Sequence, residues 1–431
     1  MNIQKLLYTN IVWRGMFYLL GFILNIAIAR HFKSDLTGTF YYLVNVFAFI
    51  TLIGSVSLES GLIYFASSGK MSTSSLLNFS LLWVLGIALL MLIIFLCSAF
   101  YRGILIGHKE FIYALFFVCG NILVTYLNSL FYARRKYVLP NAIGILFNGL
   151  LTGLLIFINN LHWLNNENFI FLYFGSFLLQ GIILVILFLA NTVSEYQFHL
   201  PTVSQMKLVF NYCLLAFASN VVTFLYYRID YWFIHHYRSS EELGNYIQLS
   251  KIAQMFFVLP AILASAVFPI TAGGGRREIN DLLMFMSRTI LFIYSLFCAF
   301  LIITGSWLFP FIFGDSFNKM YPAFLFLIPG ILGLSTLYIL TAYYAGKNRV
   351  MVNLKGASLT LFIIILGDAI LIPTYGIIAA AAVSSAGYIA YHVYVLSVFT
   401  REYKTPVMGF FIFKFSDVSR FKRSLMNNFL N

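Results

Sequence analysis

The stretch "FYARRKYVLPNAIG" at residues 131–144 recurs without a gap as "YYAGKNRVMVNLKG" at residues 343–356. At this offset of 212, Tyr132/Tyr344, Ala133/Ala345, Val138/Val350, Asn141/Asn353 and Gly144/Gly356 are identical pairs. A second match sets "RHFKSDLTGTF" (30–40) over "HHYRSSEELGNY" (235–246) at an offset of 205 to 206. Both matches fall in breaks between long apolar runs. Two matches at nearly one offset mark an internal duplication.

The runs themselves set the environment. The chain has 431 residues, 61% hydrophobic and 10% charged, with a mean hydropathy of +0.89. Soluble domains carry about 25% charged residues, so this composition belongs to an integral membrane protein. Runs long enough to cross ~30 Å of hydrocarbon lie near 11–30, 39–65, 76–100, 111–133, 138–158 and 169–190. A second set lies near 207–234, 245–270, 282–305, 322–345, 350–372 and 376–399. The expectation is an all-α fold of 12 transmembrane helices in two lobes of six. Six is even, so both halves enter the membrane from one side as a parallel repeat, an arrangement found in transporters. The lobes are expected at 1–190 and 207–399, with a linker at 191–206 and a basic, aromatic tail at 400–431.

A net charge of +13 in a soluble protein would suggest nucleic acid. Here the basic residues lie mostly in short loops, and topology explains them. Sixteen lysines and arginines fall on the side shared by both termini and six on the other. This asymmetry places both termini in the cytoplasm, and nucleic acid is not expected as a partner. Arg14 interrupts the first run and further spans follow, which favours an uncleaved first helix over a signal peptide. The tail mixes Phe with Lys and Arg, the pattern of either an interfacial segment on the inner leaflet or a solvated extension. Cys97, Cys119, Cys213 and Cys298 all sit in apolar runs without CxxC spacing, so no disulfide or zinc site is expected. No Gly-rich phosphate loop is present, and no catalytic or metal-binding residues are assigned.

Several stretches resemble the multidrug/oligosaccharidyl-lipid/polysaccharide exporter superfamily. Within it, they are most similar to the Wzx-type flippases of O-antigen and capsule repeat units. These stretches are "ARHFKSDLTGTFYYLVNVF" after the first span and "RIDYWFIHHYRSSEELGNYIQLSKI" across the seventh and eighth. Others are "SAVFPI", "FIFGDSFNKMYPAF", "YGIIAAAAVSSAGY" and, in the tail, "FKFSDVSR". The resemblance spans essentially the whole chain through their order. It implies two six-helix lobes forming a V around a central cavity in the bacterial inner membrane. The implied activity is translocation of undecaprenyl-pyrophosphate-linked oligosaccharide to the periplasmic leaflet by alternating access. The implied partners are that substrate, membrane lipid, a polysaccharide polymerase and a chain-length regulator. No bound cofactor is expected; coupling to H⁺, Na⁺ or the membrane potential is.

Charges inside the spans single out the site, because each costs at least ~2.5–3.5 kcal/mol at mid-bilayer. Arg14, Arg228, Lys251, Lys355 and Arg288 are candidate ligands for the pyrophosphate. Arg288 and Lys355 lie near span ends, where snorkelling to the headgroups is the alternative. Asp230, Glu59 and Asp368 are candidate ion sites or charge partners. Glu59 is a potential partner for Arg14, and Lys251 for Asp230. Arg14, Tyr18, Gly21 and Asn25 share one helical face, and Gln248 and Gln254 flank Lys251, so Tyr18, Asn25, Gln248 and Gln254 are read as polar cavity wall. Arg228 and Asp230 project about 160° apart, since each residue turns ~100°, so they face different neighbours. At the repeat offset Asp230 falls over Asn25 and Lys251 over Asn45; these charges belong to one half only. A drug/cation antiporter of the same superfamily is the alternative, but it calls for an acidic cavity. A polysaccharide polymerase is the enzyme alternative, and the chain lacks a long outside loop for one.

Overall fold

The computed structural model describes residues 3–100, 107–157, 165–192, 196–272, 278–414 and Asp417. Residues 193–195 of the expected linker (191–206) and the tail beyond Lys414, apart from Asp417, lie outside the described residues. Among the described residues every long element is a helix. In hydrocarbon an unpaired backbone group is so costly that an apolar run must close its hydrogen bonds internally. The helices are α1 (Ile3–Ser55), α2 (Leu58–Ser67), α3 (Thr73–Phe100), α4 (His108–Ala133), α5 (Val138–Ile156) and α6 (Asn166–Ala190). They continue as α7 (Val203–Tyr237), α8 (Ser240–Phe256), α9 (Val258–Ala272), α10 (Glu278–Phe313), α11 (Met320–Gly346) and α12 (Val350–Tyr403).

Among the described residues ten helical segments are long and apolar enough to cross a membrane, so this is a multi-pass membrane protein. With 53 and 54 residues, α1 and α12 are each about 80 Å long at 1.5 Å per residue, far beyond one crossing. Each is broken where the sequence places a loop. Lys33 takes φ 57°, ψ −177° in α1, and Gly376 takes φ 60°, ψ −142° in α12. Such values are nearly confined to glycine, which "YGII" supplies at the second break and the first break lacks.

Two compact units divide the chain: Met1–Phe32 with Leu43–Val221, and Lys33–Tyr42 with Val222–Asn431. In the first, Phe47 and Phe174 pack edge to face at 5.4 Å. The expected second span is discontinuous there. Val56 and Ser57 both adopt left-handed φ values, 47° and 53°, and separate α1 from α2. The carbonyls released by the break are met by side chains. Trp83 Nε1 donates to Gly54 O at 2.8 Å, and the Tyr126 hydroxyl donates to Ser55 O at 2.8 Å. Asn220 Nδ2 donates to Ser57 Oγ at 3.0 Å. A mid-membrane break persists only with such partners.

The repeat is visible in matching helix ends. After α4, Arg135 takes φ 61° and Lys136 N–H donates to Phe131 O at 2.9 Å. After α11, Asn348 takes φ 57° and Arg349 N–H donates to Tyr344 O at 2.8 Å. Both are left-handed caps of the Schellman kind. The paired tyrosines are likewise used alike: Arg14 lies 5.7 Å from the Tyr132 ring centroid and Arg349 5.4 Å from that of Tyr344.

In the second unit, segment 33–42 packs on the start of α8. Ser34 N–H donates to Ser316 Oγ at 3.0 Å, and Tyr42 stacks on His235 at 3.7 Å. The repeat-related glycines Gly38 and Gly244 meet here. A Cβ on Gly38 would strike the Ser240 carbonyl and lie 2.8 Å from Gly244 N. One on Gly244 would strike the Ser34 carbonyl and lie 3.0 Å from Gly38 N. Gly38→Val and Gly244→Val are therefore each expected to destabilise by about 1–3 kcal/mol or more, the cost of overpacking. Gly15→Ala, which adds its methyl to open space, should stay within about 0.5 kcal/mol. Unfolding midpoints of the purified variants check this; equal midpoints for all three would contradict the close contact.

Candidate substrate and ion site

Helix α7 carries the charges that the sequence separates by half a turn, and the structure sends them to different neighbours. On one side Asp230 is 2% exposed. Its Oδ2 accepts from the Tyr246 hydroxyl of α8 at 2.5 Å and from Ser384 Oγ of α12 at 3.4 Å. Its Oδ1 accepts from the Tyr231 amide at 2.9 Å. Asp368 of α12 is 0% exposed and close enough to interact electrostatically with Asp230. Among the described residues neither Asp368 oxygen has a hydrogen-bond partner. Burying one carboxylate costs several kcal/mol, and two charged carboxylates within electrostatic reach of each other repel as well. A proton or a cation would relieve both costs, and the hydroxyls of Tyr246 and Ser384 already bond the Asp230 carboxylate.

On the other side, Arg228 lies over Phe224, 5.3 Å from the ring centroid. Lys251 of α8 lies over the ring of Tyr41 at 2.8 Å. The two cations act on each other electrostatically. Repulsion between like charges grows as water is lost and the local dielectric falls, so the arrangement favours an anion. Lys251, offered by the sequence as partner for Asp230, thus faces the cationic side; Tyr246 and Ser384 take that role. Gln248 is buried beside it, and Gln254 Nε2 donates to Ser250 Oγ at 3.4 Å.

The remaining expected residues are dispersed. Tyr18 is exposed, Arg14 is exposed over Tyr132, and Asn25 is buried, so the stripe on the first span divides along its length. Among the described residues no ion pair joins Arg14 to Glu59. Glu59 sits in the first turn of α2 with Oε2 buried and without a hydrogen-bond partner, near Tyr126 and Cys213. Lys355 is exposed on α12. Arg288 is taken up by the tail: its Nε donates to Asp417 Oδ2 at 2.6 Å and its second terminal nitrogen to Oδ1. Outside the spans, the Glu242 carboxylate bonded to Arg238 holds that guanidinium above its ordinary pKa.

Sequence reading missed Tyr246, Ser384, Tyr41 and Asp417. One signal was available. At an offset of 206 Phe40 lies over Tyr246, so the phenol that grips Asp230 is a further polar addition to the second half. No comparable pattern marks Asp417.

Residues 171–322 match the family described as polysaccharide biosynthesis protein. No curated protein matches the chain in sequence. Among solved structures, the lipid II flippase MurJ in an inward closed conformation superposes with a TM-score of 0.71 at 16% identity, covering 93% of this chain and 88% of that one. A MATE-family multidrug resistance transporter in an inward-facing conformation gives a TM-score of 0.67 at 12% identity, covering 90% and 94%. A transporter from Pyrococcus furiosus, reported with a binding pocket of reversed polarity, gives 0.63 at 13% identity, covering 94% and 96%. The chain has the fold shared by the flippase MurJ and the MATE transporters of the MOP superfamily.

Proposed function

We propose that the protein is a cation-coupled flippase for an undecaprenyl-pyrophosphate-linked oligosaccharide repeat unit of O-antigen or capsule. It moves this unit from the cytoplasmic to the periplasmic leaflet of the bacterial inner membrane, with both termini cytoplasmic. The observation that carries the reading is the division of α7: a cationic pair, Arg228 and Lys251, on one side and a buried carboxylate pair, Asp230 and Asp368, on the other.

Arg228 and Lys251 hold the pyrophosphate by charge-assisted hydrogen bonds, Arg in bidentate fashion. Asp230 and Asp368 take H⁺ or Na⁺, and because both pairs attach to one helix, filling one biases the other. Moving two negative charges outward across an inside-negative potential adds about 2.3 kcal/mol per charge per 100 mV. A polysaccharide polymerase and a chain-length regulator are the partners such a flippase feeds. A drug/cation antiporter would also use the carboxylate pair, but the cationic pair beside it disfavours a cationic substrate.

Ion binding is tested on the purified protein. A ligand that binds only the folded state stabilises it by about 2.7 kcal/mol at 100 times its Kd. Either added Na⁺ or lowered pH is expected to raise the unfolding midpoint, and Asp368→Asn to remove the response. A midpoint indifferent to both, or a response kept in Asp368→Asn, would overturn the ion site.

A further inference from the structure

The first residues of the tail form a strap against the second unit. Arg288 of α10 and Asp417 form a buried ion pair across 129 residues of sequence. Phe410 is buried, Phe413 stacks on Phe292 at 4.3 Å, and Phe411 stacks on His392 at 5.8 Å. The Asp417 carboxylate also accepts from the Lys414 amide at 2.9 Å, which closes the strap on itself.

The opposite face of the strap is apolar and exposed. Met408 is 66% exposed and Ile412 55%, with Val407 beside them. Lys404 and Lys414 flank this row and are exposed. The charge balance is one-sided. The two acids of the tail are turned toward the body of the protein, Glu402 to Arg349 and Asp417 to Arg288. Its basic residues are Arg401, Lys404 and Lys414, followed in sequence by Arg420, Lys422 and Arg423. The strap begins directly after α12, a helix long and apolar enough to cross a membrane.

We propose that residues 404–414 form a docking surface for anionic phospholipid headgroups of the leaflet in which α12 ends. Met408, Ile412 and Val407 enter the boundary of the acyl chains, and Lys404 and Lys414 meet the phosphates. Apolar residues in the interface and basic residues at the headgroups act together in such monotopic anchors, and each alone binds weakly. The ion pair of Asp417 with Arg288 sets the strap at a fixed depth. This surface is independent of the transport reading, since it requires neither a flipped substrate nor a chosen orientation.

The test uses the full chain with its four cysteines replaced by serine and a fluorophore on Met408→Cys, in nanodiscs of pure phosphatidylcholine or rich in phosphatidylglycerol. Quenching by nitroxide at headgroup depth is expected to be about twofold or more stronger with phosphatidylglycerol, and to lose that difference in high salt. Lys404→Gln with Lys414→Gln, both at exposed positions, should abolish the lipid preference while the unfolding midpoint is kept. Quenching by aqueous iodide in both lipids would overturn the proposal, as a solvated strap. So would equal nitroxide quenching in both lipids, which shows insertion without recognition of anionic headgroups. Protection from both quenchers would assign the surface to a protein contact and overturn it as well.

Discussion

Lys251→Met and Arg228→Met are each expected to abolish surface polysaccharide export while leaving the protein inserted and at least as stable as the parent. The two expectations have one cause. Both cations lie in the membrane part of the second unit within electrostatic reach of each other. Neutralising one relieves repulsion between two half-buried cations, a change that is often neutral or stabilising when the replacement packs well. The same change removes a charge-assisted contact worth about 1.5–3 kcal/mol to an anionic substrate, on the order of 10- to 150-fold in binding. A residue kept in spite of its cost to stability marks a functional constraint. The check is paired: unfolding midpoints of the purified variants, and surface glycan at native expression. Normal glycan from both variants would remove the cationic pair from the mechanism.

Asp417→Ala is expected to destabilise the second unit by about 3–5 kcal/mol, because it leaves Arg288 buried without its counter-charge. The guanidinium is 7% exposed and the carboxylate 1%, so water cannot replace the lost partner. Combining Asp417→Leu with Arg288→Met should recover most of the loss, since an ion pair replaced whole by apolar groups is often neutral. The unfolding midpoints of the single and double variants decide the matter. A single variant as stable as the parent would show that the strap is not docked through this pair.

The apolar, helical character of the spans, the matching loops of the duplication and the opposed directions of Arg228 and Asp230 were legible in the sequence, a count of twelve spans not among them. Each follows from period: a run of about 20 apolar residues for a span, a fixed offset for the repeat, and about 100° per residue for the faces. What escaped depends on contacts between distant segments. The break at Val56–Ser57 carries neither Gly nor Pro, and it stands on the side chains of Trp83, Tyr126 and Asn220. Arg288 could be read only by its depth in a span, because its counter-charge lies 129 residues away in the tail. The sequence offered Lys251 to Asp230 because opposite charges on adjacent helices suggest a pair. The structure answers Asp230 with hydroxyls, and Ser384 lies in "YGIIAAAAVSSAGY", a stretch that carried the family resemblance but no assigned site residue. Segment 33–42 shows the same limit. Its glycine matched Gly244 by offset, but that the two backbones touch became visible only in three dimensions.

The central claim is that the protein carries a lipid-linked glycan across the membrane. The most direct measurement is the leaflet in which that glycan is found after the gene is deleted, read by access of a membrane-impermeant glycan label in intact and inside-out vesicles. Accumulation in the cytoplasmic leaflet, reversed by the parent chain but not by Lys251→Met, is the expected result. Unpolymerised repeat units reaching the periplasmic leaflet in the deletion strain would contradict it.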